Sequence, residues 1–177
     1  MWNAIALLLT ALVFTGCSTF DVGRYGVSVD NNAALKKIGG SKVAVGPFTA
    51  AEPGKKEIAC RGVGPIRTPD GRPFEDQVRQ ALVDELTVAD LVADSAPVTL
   101  TGRVNKLDFD SMAGEWILDV TVTSSNGQSL TAASKFTYGF TYMGETACVR
   151  TAKSFVPAVQ LLIGKLVYDP KFADLLR

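Results

Sequence analysis

The segment VTLTGRVNKLDFDSMAGEWILDVTVTSSNG, residues 98–127, determines which fold this chain can adopt. Apolar and polar side chains alternate up to Val104, and the apolar side then moves to odd-numbered positions from Leu107. Since one extra residue in a strand reverses the side-chain order, we expect a β-bulge or bend near Asn105 and Lys106. The segment therefore predicts a strand with a change of face rather than a helix.

Two further alternating strands follow. The first runs from Trp116 to Val122, and Asn126-Gly127 after it favours a tight hairpin turn. The second is KFTYGFTY at residues 135–142, whose aromatic side chains are Phe136, Tyr138, Phe140 and Tyr142. Strands with one apolar and one polar face are typical of an antiparallel sheet that is covered on one side only.

Outward from this sheet, the sequence predicts one more strand and two main helices. KVAVGPF, at residues 42–48, indicates a short strand that stops at Gly46-Pro47. Apolar residues recur every four positions from Phe74 to Leu86, which indicates an amphipathic helix. A second helix is predicted to begin at Ser154 with Pro157 in its first turn, and a short helix follows Asp169-Pro170.

The element order β-α-β-β-β-α predicts an α+β domain. We expect a two-layer α/β sandwich, with a four-stranded, mainly antiparallel sheet and two helices on one face. The loop at residues 50–72 is unusually long and rich in Gly and Pro. Loops of this length often contact partners. A solvated excursion held down by Cys60 is the alternative interpretation.

The amino terminus carries the most specific signal. Residues 4–14 read AIALLLTALVF, which is too short to span a membrane, and Thr15-Gly16-Cys17 follows. This pattern resembles the lipobox of bacterial lipoproteins, which implies cleavage before Cys17 and lipid on its sulfur. We therefore expect a signal peptide at 1–16, a lipidated cysteine and flexible tether at 17–41, and one periplasmic domain at 42–177. The alternative is a buried amphiphilic segment with an incidental cysteine.

The remaining two cysteines fit the same compartment. If Cys17 carries lipid, Cys60 and Cys148 form an even pair in a space where disulfides are stable. We expect them to be joined, while two buried thiols or a redox pair remain alternatives.

Composition limits the chemistry. The chain has 177 residues, no histidine, and 18 basic against 18 acidic side chains, so its formal net charge is +0. A general nucleic-acid binder would carry a basic surface, so we expect no nucleic-acid partner. Without histidine, the chain also lacks the usual catalytic base and a common metal ligand. Asp108 and Asp110 share one strand face, but we interpret them as solvated side chains rather than a catalytic pair. We expect no enzyme activity, no catalytic residue, no metal and no cofactor.

Two resemblances extend this interpretation. KVAVGPF, a helix ending in LVDEL, and VTLTGRV resemble the amino-terminal domain of TolB and the lipoprotein activators of penicillin-binding proteins. GEWILDVTVTSSNGQSL and GETACVRTAKSFVPAVQLLIGKLVYDPKF are similar to a family of uncharacterised proteobacterial lipoproteins. The residue after Cys17 is Ser18 rather than Asp, which in this class implies the outer membrane.

These observations predict a non-catalytic envelope lipoprotein that acts as an accessory or scaffold for a cell-envelope assembly. The alternative is a carrier, or auxiliary lipoprotein of a lipid-transport system, that binds an apolar ligand between sheet and helices. We expect the aromatic row at 136–142 to fill that space, which favours the accessory role. Side chains with no evident structural task are the predicted partner-binding residues, namely Arg61, Arg67, Arg72, Arg103, Asp119 and Lys135.

Overall fold

The computed structural model describes residues 18–177, so the predicted signal peptide and Cys17 lie outside the described residues. Within these residues, seven strands and four α-helices follow one another. In chain order they are β1 (Phe20–Asp21), α1 (Val29–Ile38), β2 (Val43–Ala50), β3 (Glu57–Cys60), β4 (Gly64–Arg67), α2 (Phe74–Val88), β5 (Val98–Asp110), β6 (Glu115–Ser124), β7 (Ser129–Thr137), α3 (Gly144–Val167) and α4 (Phe172–Leu175). A short 3-10 helix, Pro69–Gly71, precedes α2.

The larger sheet has the strand order β2-β5-β6-β7. β2 runs parallel to β5, and the other neighbours are antiparallel, which confirms the predicted four-stranded, mainly antiparallel sheet. The register of β5 against β6 shifts between Val104 and Lys106, so the predicted bulge is also confirmed. Gly46-Pro47 does not end β2 as expected, because the register shift between Val45 and Phe48 absorbs this dipeptide.

Helices α2 and α3 pack on one face of this sheet, which makes the molecule an α+β sandwich. Trp116 of β6 is buried between the layers, and its indole Nε1 donates to the Thr151 carbonyl at 2.9 Å. The rings of Phe74 and Phe155 lie against it with centroids 6.5 and 5.2 Å away. Large buried rings from both helices therefore fill the centre of the layer interface.

Only the first half of the aromatic row at 136–142 packs on the core, where Phe136 and Tyr138 are half-buried. The prediction is wrong for Phe140 and Tyr142. β7 ends at Thr137, and Gly139 has a φ of +93° that breaks the strand. Phe140 and Tyr142 consequently lie in an exposed loop instead of facing the core. Their alternation continued by chance past the point where hydrogen bonding to β6 stops.

Helix α3 begins at Gly144, ten residues before the predicted start at Ser154. Pro157 is therefore inside the helix, where it costs about 3 kcal/mol. Buried residues recur along the helix on both sides of the proline, from Ala147 to Val167. Burying each large side chain stabilises by about 1.5 to 3 kcal/mol, so the continuous apolar stripe offsets the proline.

The predicted loop at 50–72 contains two strands, which corrects that expectation. β3 and β4 form an antiparallel hairpin, and β1 adds to β4 in parallel to give a second sheet with the order β1-β4-β3. A disulfide joins Cys60 of β3 to Cys148 of α3 with a Cα separation of 5.9 Å, as predicted. It closes a loop with a sequence separation of 88, which in the chain-entropy account stabilises the fold by about 4 to 5 kcal/mol.

The predicted tether is also corrected, because residues 18–41 contain β1 and α1. Ser28 caps α1 by accepting from the Asn31 amide, and Leu35 is fully buried against the other helices. The Glu85 carboxylate of α2 accepts hydrogen bonds from the Tyr25 hydroxyl at 2.6 Å and the Ser28 amide at 2.8 Å. The segment is polar on average, so its sequence did not indicate that it packs against Glu85 of α2.

Candidate interaction surface

The side of the larger sheet opposite the helices is polar and open. We call it the outer sheet face. Its central positions alternate with the buried residues of β5, β6 and β7, as period-two strands require. Its members are Thr101, Arg103, Lys106, Asp119, Thr121, Thr123, Thr131, Ala133 and Lys135.

The bulge residue Asn105 organises the middle of this face. Its Nδ2 donates to Asp119 Oδ1 at 2.7 Å and to Thr121 Oγ1 at 2.8 Å. Thr121 in turn shares a hydrogen bond of 2.8 Å with Thr131 on β7. The predicted site residue Asp119 is thus half-buried and fixed in orientation, with its second oxygen outside this network.

Two predicted cations stand on the same face. Arg103 lies opposite Thr121, and its guanidinium makes no hydrogen bond or ion pair with any described residue. Lys135 pairs with Glu115 at 2.6 Å through an exposed ammonium group. The structure therefore brings Arg103, Asp119 and Lys135 together on one polar surface that can exchange hydrogen bonds with a partner.

Arg61 has a structural task, which corrects the expectation that its side chain is free. It lies at the β3–β4 turn, and its guanidinium donates to Ser111 Oγ at 3.1 Å and to the Thr141 carbonyl at 2.9 Å. It also donates to the Ser111 and Tyr142 carbonyls. One side chain thus ties the hairpin turn to two other turns.

The remaining loop arginines lie elsewhere. Arg67, on β4, donates through Nε to Asp21 at 3.0 Å, and this hydrogen bond raises the pKa of the Arg67 guanidinium. Arg72 is exposed just before α2, and its backbone carbonyl accepts from the Thr68 hydroxyl. The six predicted residues therefore form one group of three on the outer sheet face and three separate positions around the smaller sheet.

Asp108 and Asp110, the two aspartates on one strand face, each accept hydrogen bonds from different backbone amides. Asp110 Oδ1 accepts from the Met112 and Ala113 amides, and these backbone hydrogen bonds lower the pKa of the Asp110 carboxyl. Asp108 accepts from the amide of Phe109 at 2.9 Å. Each carboxylate thus accepts hydrogen bonds from backbone amides of its own strand end or turn. Within residues 18–177, no group of three or more Cys, Asp or Glu side chains could hold a metal ion.

Sequence reasoning missed two buried carboxylates on α2. Glu75 is buried and accepts from the Gly54 amide at 2.7 Å. Glu85 is fully buried and receives the amino-terminal segment. Their positions beside the apolar stripe of α2 were the available signal, but their donors come from distant segments.

The cavities of the described part are small or open. One depression of about 120 Å³ lies between Ala50, Phe74, Glu75 and the β5 bulge. Two wider ones, of about 450 and 540 Å³, are open to solvent beside α1 and the carboxyl end of α3. The first of these is smaller than a typical small-molecule site. None of the helices in residues 18–177 is long and apolar enough to cross a membrane.

Comparison with known proteins adds one relationship. No protein-family model matches the sequence, and no curated protein matches it. The crystal structure of a Xanthomonas campestris protein of family DUF330 is similar, with a TM-score of 0.53 and 12% sequence identity over 89% of this chain and 96% of the other. This likeness shows a shared fold, and it carries no statement about activity.

Proposed function

We propose that this chain is a lipid-anchored, non-catalytic lipoprotein of the cell envelope that acts as an accessory or scaffold for an envelope assembly. We place it among uncharacterised proteobacterial lipoproteins at the periplasmic face of the outer membrane. Lipid on Cys17 supplies the attachment, and Ser18 after it favours the outer membrane. The outer sheet face supplies the contact with a protein partner.

The outer sheet face is the observation that carries this proposal. It is polar, it is ordered by the Asn105 hydrogen bonds, and no helix of the described part packs on it. The ordered hydroxyl groups of Thr121 and Thr131 and the unpaired guanidinium of Arg103 can form directed hydrogen bonds and an ion pair with a protein surface. Arg is also among the residues enriched in protein interfaces.

The carrier alternative has less support. An apolar ligand between sheet and helices would need space that Trp116, Phe74 and Phe155 occupy. Interiors packed in this way leave no room for an additional acyl chain unless the layers separate. The accessory role needs no such opening.

Crosslinking and recovery of the lipoprotein from envelopes tests the accessory role. We expect Arg103→Glu to reduce recovery of a discrete envelope protein, because the charge at the centre of the outer sheet face is reversed. Lys36→Glu is the matched control, since Lys36 is an exposed cation on α1. Both variants should keep the wild-type melting temperature, because exposed substitutions usually change stability by less than about 0.5 kcal/mol.

Two results would count against the proposal. Equal recovery by wild type, Arg103→Glu and a Thr131→Glu variant would remove the outer sheet face as the contact. Recovery of no envelope protein above the background of a Cys17→Ala variant would contradict the accessory role itself.

A further inference from the structure

Exposed apolar side chains gather at one end of the molecule. Five of the eight large exposed apolar residues within 18–177 lie in three neighbouring turns, and their exposed fractions run from 36% for Val63 to 87% for Tyr142. We call this group the apolar end patch. It consists of Val63, Met112, Phe140, Tyr142 and Met143.

Direct contacts hold the three turns together beneath the patch. Arg61 bonds Ser111, next to Met112, and the carbonyls of Thr141 and Tyr142. The rings of Phe140 and Tyr142 stack edge to face with centroids 4.5 Å apart. Val63 closes the group, because a Cβ placed on Gly144 would lie only 3.0 Å from its Cγ2.

The first residue that the structure describes, Ser18, lies beside this patch. Ser18 packs so closely on Gly64, the neighbour of Val63, that a Cβ at Gly64 would overlap the Ser18 carbonyl. Phe20 is already buried and paired with Ile66. Three residue steps separate Cys17 from Phe20, so the chain can extend at most about 10 Å between the lipid and the folded domain.

We propose that the apolar end patch seats on the membrane that holds the lipid anchor, with its aromatic and methionine side chains in the headgroup region. This inference rests on the proposed lipidation of Cys17. The short link holds the patch within reach of the bilayer, and exposed aromatic rings are suited to the membrane–water interface. Arg150, which is exposed and donates to the Phe140 carbonyl at 3.2 Å, stands at headgroup level.

Tryptophan fluorescence in vesicles tests this seating. The lipidated full chain, purified from membranes, is reconstituted into phosphatidylethanolamine–phosphatidylglycerol vesicles whose acyl chains carry bromine near the headgroup. Tyr142→Trp places a probe in the patch. Tyr168→Trp is the matched control, because Tyr168 is also exposed and follows α3, whose 24 residues span about 36 Å. Wild type, with buried Trp116, provides the background.

We expect the fluorescence added by Tyr142→Trp to shift to shorter wavelength and to lose most of its intensity in brominated vesicles. The fluorescence added by Tyr168→Trp should stay unchanged. Equal quenching at both positions, quenching only at 168, or no quenching at 142 in protein that floats with the vesicles would overturn the seating alone. Purified protein that carries no lipid and does not float would overturn both the seating and the proposed function.

Discussion

Glu85 is the residue that attaches the amino-terminal segment to the rest of the fold. Its Oε1 accepts from the Tyr25 hydroxyl and the Ser28 amide, and the Asn31 side chain lies at 3.4 Å. Removing a buried acceptor that serves several donors is costly, because each donor is then left without a hydrogen-bond partner. The same contact makes the protonation of Tyr25 depend on folding.

We predict an alkaline loss of stability that passes through Tyr25. Burial, followed by the hydrogen bond to Glu85, raises the pKa of Tyr25 in the folded protein. The folded state therefore favours the neutral phenol, and this contribution is complete below about pH 10 and is lost as the pH rises further. In urea titrations above that pH, Tyr25→Phe should lose stability with a shallower slope than wild type.

Tyr138 accounts for the part of the alkaline loss of stability that should remain in the Tyr25→Phe variant. Burial also raises its pKa, so the Tyr25→Phe variant retains part of the alkaline dependence. At neutral pH the variant should be less stable by about 1 kcal/mol, because one hydrogen bond to Glu85 is lost. Parallel loss of stability in wild type and variant above pH 10 would show that Tyr25 is not the linked group.

Arg61 and Arg103 should behave differently although sequence reasoning treated them alike. Arg61→Ala removes donors from carbonyls in two turns and should lower the free energy of unfolding by about 1 to 3 kcal/mol. Arg103→Ala should change it by less than about 0.5 kcal/mol. Equal effects in urea unfolding would mean that the bonds of Arg61 contribute nothing to stability.

At the scale of elements, the packing of α1 decides whether residues 18–41 are a folded segment or a flexible tether. Leu35→Ala should lower the free energy of unfolding by about 2 to 5 kcal/mol, because Leu35 is completely buried. Val29→Ala on the same helix is the control, since Val29 is exposed and should tolerate the change. If both variants unfold like wild type, residues 18–41 are a tether after all.

The sheet could be predicted because its information is local. The alternation around Trp116 and the change of face after Val104 are properties of consecutive residues, and each strand shows its buried side by period two. The stripe of α2 is local in the same sense. These patterns indicate directly which side of each element is buried, and the structure contains the corresponding helix and strand.

The parts that could not be predicted depend on distant partners. α1 is polar on average, and its place comes from Glu85, which is more than fifty residues away. The hairpin at 57–67 is rich in turn residues, and it gains its order from β1 and the disulfide. The prediction for Arg61 was wrong for the same reason, because its acceptors on Ser111 and Thr141 are 50 and 80 residues away along the chain.

At the scale of the whole molecule, the proposals assign different surfaces to different partners. The apolar end patch lies at the amino end of α3, where Gly144 contacts Val63. The outer sheet face lies on the side of the sheet away from both packed helices. With the patch on the membrane, the outer sheet face stays accessible to a protein in the periplasm, so anchoring and recognition do not compete.

The proposed membrane attachment depends on lipid at Cys17, and the mass of the mature amino terminus tests for it directly. We predict that protein isolated from envelopes begins at Cys17 with acyl groups attached. Cys17→Ala should leave an unlipidated precursor, because no other cysteine follows small residues after an apolar run. An envelope protein that retains residues 1–16, or one that begins elsewhere with an unmodified cysteine, would contradict the account.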